Sequence, residues 1–147
     1  MLKKILAVLV TLIILTACSH KKTDNYAYAL KGESEHWESE YFVEGRDVWK
    51  EKDNRTTFSS DHNHTFTIIY KGPLEELSSL KNLEYAFEGA AHSGGGSQEF
   101  DEPPISKILV SHRGGGGGAR VQKDGVIHVT IKWDTFEESI ELRNTGK

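Results

Sequence analysis

Apolar and polar residues alternate with a period of two along most of the chain, the mark of strands that bury one face and wet the other. Tyr26, Tyr28 and Leu30 share a face until Gly32 interrupts them. Trp37, Tyr41 and Val43 share another, opposite Glu38, Glu40 and Glu44, up to Gly45. His64, Phe66, Ile68 and Tyr70 alternate with Thr65, Thr67 and Ile69 and stop at Gly72-Pro73. Leu83, Tyr85 and Phe87 run to Gly89, and Ile105 to Val110 is a short apolar stretch behind Pro103-Pro104. The clearest pair is Ile127, Val129, Ile131 and Trp133, then Phe136, Ile140 and Leu142, around a turn at Asp134-Thr135. These segments predict seven or eight short strands, for which antiparallel connection is the simplest wiring. Each apolar face needs a partner, so the expected fold over residues 26–147 is a two-layer antiparallel β-sandwich, with a small barrel as the runner-up. At most one short helix fits: Leu74, Leu77 and Leu80 follow Pro73, with Glu75 and Glu76 in the first turn.

One segment breaks the alternation. Residues 5–15 hold ten apolar positions out of eleven, preceded by Lys3 and Lys4. That is the layout of a secretory signal, and the run is well short of the roughly 20 apolar residues that span a bilayer. Leu15-Thr16-Ala17-Cys18 matches the bacterial lipobox. Small side chains fit the peptidase pocket beside the scissile bond, and the cysteine thiolate accepts a diacylglyceryl group. Cleavage between Ala17 and Cys18 is expected, making residues 1–17 a removable signal peptide and Cys18 a lipidated N-terminus. Cys18 is the one cysteine of the chain, so no intrachain disulfide competes for it. Two acyl chains hold a protein on a membrane stably where one does not.

Processing changes the charge picture. Removing residues 1–17, which include Lys3 and Lys4, takes the 147-residue chain at −4 to 130 residues at −6. An acidic body lacks the basic footprint of a nucleic-acid binder, and the sequence shows no polybasic run to attract anionic lipid. Residues 18–25 read as the lipidated cysteine and a short polar tether; seven tether residues reach about 25 Å at most.

Candidate chemistry is sparse. The run Gly114 to Gly118, flanked by Arg113 and Arg120, could present backbone N–H groups to an anion, but it closes on Ala119-Arg120 where a P-loop needs Gly-Lys-Ser/Thr. With Gly94, Gly95 and Gly96 it is expected to form two inter-strand loops, candidates for a binding rim. Asp61-His62-Asn63-His64 places His62 and His64 on one side of a strand, a weak candidate for a metal site that wants three or four ligands. His36, His92, His112 and His128 show no matching spacing. The carboxylates from Glu33 to Asp47 fix no catalytic pair, and no nucleophile motif is present.

Gly32-Glu33-Ser34-Glu35-His36-Trp37, close behind the lipobox and followed by Tyr41-Phe42-Val43, resembles the Gly-Glu-Ser-x-x-Trp pattern of a group of small Bacillus-type lipoproteins. The likeness extends to the glycine-rich segment and to the strand pair with Ile131-Lys132-Trp133 and Ile140-Glu141-Leu142. It implies the outer leaflet of a Gram-positive cell membrane and carries over no catalytic or binding role. The expected function is a non-enzymatic, membrane-anchored binding module without a cofactor, its partner an envelope protein or small ligand and not nucleic acid. The alternative is a metal-handling lipoprotein using His62 and His64.

Overall fold

A computed structural model of the protein describes residues 20–146; Ala17, Cys18 and the signal segment lie outside the described residues. Eight strands follow in order: β1 (His20–Glu33), β2 (Trp37–Lys52), β3 (Arg55–Tyr70), β4 (Asn82–Gly89), β5 (Ser93–Glu99), β6 (Ile108–Gly117), β7 (Val126–Trp133) and β8 (Phe136–Arg143). All pair antiparallel in one sheet of spatial order β5-β4-β7-β8-β1-β2-β3-β6, curled into a half-barrel. The all-β antiparallel class is as the alternation indicates, and the short helix is a 3-10 turn over Leu74–Ser79 behind Pro73. The two layers expected of a sandwich are the two halves of a single sheet, β1-β2-β3-β6 facing β5-β4-β7-β8.

The apolar faces read from sequence make the concave core. Leu30, Trp37, Tyr41, Phe66 and Ile68 meet Leu83, Phe87, Ile127, Val129, Ile131, Ile140 and Leu142, all buried. Aromatic contacts tie the halves together: Phe66 to Phe87 at 4.5 Å between ring centroids and Trp37 to Trp133 at 5.3 Å, edge to face. Burying each such side chain contributes about 2–3 kcal/mol, and edge-to-face geometry adds to it. The halves join along the sheet at a narrow seam, where β1 and β8 register through Lys31 and Arg143 and Asn144 donates to the Ala29 carbonyl at 2.7 Å.

Three features depart from the sequence reading. Residues 20–25, expected as a tether, are the start of β1 and pair with β2 from His20↔Glu51 onward. β2 and β3 run past Gly45 and His64 to a two-residue turn at Asp53-Asn54, both with positive φ (51° and 57°), the conformation that tight hairpins require. Gly94 to Gly96 and Gly114 to Gly117, expected as loops, are strand residues of β5 and β6. Glycine has no side chain to alternate, so period two is silent there.

Candidate functional site

β5 and β6 are the two free edges of the curl, and each is glycine-rich. Between them lies a cavity of about 220 Å³ whose walls include His64, Tyr85, Phe87, His92, His112 and Gly114. Alternation builds its β3 wall: His64 continues the inward face of Phe66, Ile68 and Tyr70, and His62 lies one step further along that face, beyond the cavity lining. Register builds the β6 wall, because His112 stands opposite Phe66 and Gly114 opposite His64. His92 comes from the β4–β5 turn, which Gly89 N–H closes on the His92 carbonyl at 2.8 Å. The glycines matter for closeness. A Cβ on Gly114 would fall 2.6 Å from the His64 ring, and one on Gly94 would fall 2.6 Å from Phe87.

Four imidazoles therefore follow one another in the order His62, His92, His64, His112. The centroid of His92 lies 5.7 Å from that of His62 and 5.3 Å from that of His64, and His112 lies 6.3 Å from His64. A tetrahedral centre with nitrogen ligands at about 2.1 Å puts two ligating ring centroids roughly 5 Å apart, close to the His64–His92 and His62–His92 spacings. The ligand atoms of these three rings are not gathered within 4.8 Å as they stand, so an ion shared among them requires the rings to turn. His62 is 3% exposed and His64 9%. Neither nitrogen of His62, nor Nδ1 of His64, has a hydrogen-bond partner. Such groups are costly to bury, and something must satisfy them. The ring of His64 stacks on Tyr41 at 5.0 Å, which fixes its plane. Nε2 of His92 lies 3.1 Å from the Ala119 carbonyl; donation there leaves Nδ1 as the free lone pair.

The comparisons identify no relative. No protein family, curated protein or solved structure matches the chain.

Electrostatics favour neutral rings. Burial first, then like-charged His92, lowers the pKa of His62 below the usual 6.5, and Asp61 and Asp47 only partly oppose this. His64 is lowered by burial, then by His92, His112 and His62. A neutral imidazole is the ligating form, so protons compete weakly at these two positions. Tyr41 is pushed up to about 12 by burial and stays a phenol.

Among the described residues, Glu35, His36 and Glu138 hold ligand atoms within 4.8 Å of one another. Two of the three are already bonded to each other: Nδ1 of His36 meets Glu138 Oε1 at 2.5 Å, and that hydrogen bond raises the His36 pKa. The Glu138 carboxylate already occupies that ring nitrogen, whereas both nitrogens of His62 and Nδ1 of His64 have no partner.

The other residues singled out from sequence scatter. Gly95 and Gly96 line β5, with Gly96 against Tyr85. Arg113 lines a neighbouring depression with Glu40, Glu44 and Thr65, which His64 and Gly114 also border. Gly118 turns the chain at φ 104° after β6. Arg120 is no anion receptor, since both terminal nitrogens hold the Asp47 carboxylate, at 3.2 and 3.1 Å. His92 and His112 were invisible in linear spacing. The one available signal was alternation: Val110, His112 and Gly114 fall on one face once β6 is carried through its glycines.

Proposed function

We propose that this protein is an extracytoplasmic lipoprotein, anchored through Cys18, that binds a borderline-soft divalent ion such as zinc or copper(II) at His62, His64 and His92, with His112 beside His64. The observation that carries the reading is the nearly complete burial of His62 with both ring nitrogens unpartnered, beside His92, which in turn lies against His64. Imidazole suits these ions, whereas calcium and magnesium want oxygen ligands. The binding-module and metal-handling readings from sequence then become one: the ion is the ligand, held where the two free edges meet.

Calorimetric titration of the apo protein with zinc and with copper tests this. One ion per chain is expected, with affinity weakening at least tenfold in the His62→Ala/His64→Ala double variant. His128→Ala, an exposed position outside the mouth, should leave it unchanged. Equal affinity in wild type and the double variant discards the site.

A further inference from the structure

Beyond Ser60 the sheet narrows. β6 leaves β3 at Asp61↔Gly117, so the ends of β1, β2 and β3 project as a three-stranded ribbon. From Asp47 to Lys52 the projection is roughly 17 Å long. No core covers this ribbon, and its side chains differ from those of the rest of the molecule. Beyond Val48 the tip carries Lys21, Lys22, Lys50, Lys52 and Arg55 against Glu51 and Asp53, a balance of +3 within a processed chain of −6, with exposed Asp24 and the Arg120-paired Asp47 at the base. All seven tip residues are exposed, and among the described residues none of the five cations forms an ion pair. The sequence conceals this cluster because three strands contribute to it.

The two faces of the ribbon are complementary. On the concave side Lys22, Trp49 and Phe58 lie in register across the strands, with Lys22 over the Trp49 ring at 5.5 Å and the Trp49 and Phe58 rings 5.2 Å apart. Phe58 is 56% exposed although nothing in the fold requires an aromatic residue there. On the opposite side Lys21, Arg46 and Lys50 share a depression of about 220 Å³ with the single acidic residue Asp61. Aromatic rings beside unpaired cations are what partition into the headgroup layer of an anionic bilayer. The chain's own direction points the same way. β1 begins at His20, opposite Glu51 at the ribbon end, and the residues that precede it include Cys18.

We infer that the β1-β2-β3 ribbon end is a second membrane contact, docking through Trp49, Phe58 and its lysines on anionic phospholipid. The orientation rests on the lipoprotein reading above, whereas lipid binding by the ribbon can be measured without the anchor.

The test uses the processed chain from residue 18 with Cys18→Ser, which retains the whole sheet and carries no lipid. Co-sedimentation compares vesicles of phosphatidylcholine with vesicles containing phosphatidylglycerol. Selective binding to the anionic vesicles is expected, weakening as salt rises. Lys21→Gln/Lys22→Gln/Lys50→Gln/Lys52→Gln should reduce it at least tenfold, as about 1 kcal/mol per basic residue implies. Phe58→Ser should also weaken it, while Lys107→Gln/Lys123→Gln, away from the ribbon, should not. Brominated lipid should quench wild-type fluorescence more than that of Trp49→Phe. Equal binding to neutral and anionic vesicles, unchanged binding by the quadruple variant, or binding to soluble polyphosphate without vesicle preference overturns the proposal. The anchor is judged separately: full-length Cys18→Ala should leave the tightly held membrane fraction, and its retention there would count against lipidation whatever the vesicles show.

Discussion

A methyl group on Gly114 would sit 2.6–2.7 Å from Cε1 and Nε2 of His64, so this edge glycine sets how close β6 comes to the ring. Gly114→Ala should therefore destabilise the fold by about 1–3 kcal/mol, the usual cost of overpacking, and weaken zinc binding with it; denaturant unfolding and titration read the two effects. The same rings set a pH dependence. Their folded-state pKa values lie below the unfolded 6.5, so the unfolded chain takes up protons first as pH falls. Their contribution is complete above about pH 6.5 and is lost on acidification through the folded values. His36 has the opposite sign, since its raised pKa gives stability that fades as pH rises, but its side chain is 42% exposed and counts for less. Unfolding midpoints should fall between pH 7.5 and 5.5, with a shallower slope in His62→Ala/His64→Ala. Half of the histidine set was legible in the sequence. His62 and His64 are two apart on one strand, whereas His92 and His112 reach them only through the curl.

At the scale of elements, the segment between β6 and β7 acts as a strap across the mouth. Arg120 forks onto Asp47, and its guanidinium lies 4.0 Å from the Tyr26 ring centroid. Val121 is buried, and its carbonyl accepts from the Tyr28 hydroxyl. Both partners of the ion pair are largely shielded, at 19% and 9% side-chain exposure, so losing one leaves a charge without water or a counterion. Arg120→Met should cost roughly 3 kcal/mol, and Asp47→Asn in the same chain should recover part of it, which a double-mutant cycle would measure. Lysine at position 120 would not restore the fork. Strand faces and turn positions were legible wherever side chains alternate, from Tyr26 to Leu30 and from Ile127 to Leu142. β5 was not, because Ser93 to Glu99 offers three glycines and no apolar residue. The outer parts of β1 to β3 were also hidden, since both of their faces meet water and polarity there resembles a loop.

For the molecule as a whole, strand order was the least legible property. β6 crosses from the β4-β5 half to lie beside β3, and β8 returns to β1; both choices depend on contacts between residues far apart in sequence. Those choices bring together the two glycine-rich edges. On the lipoprotein reading they also decide what lies near the anchor. A tether of seven free residues would let the domain swing over a hemisphere above its lipid. With β1 paired to β2 from His20 onward, residues 20–25 are not a free leash, and on the lipoprotein reading the domain stands as a mast. The histidines open beside Gly45, seven residues along β2 from Lys52, or roughly 23 Å up the mast. On the lipoprotein reading the ion is then offered at a set altitude, and a neighbouring envelope protein must meet it at that level to exchange it.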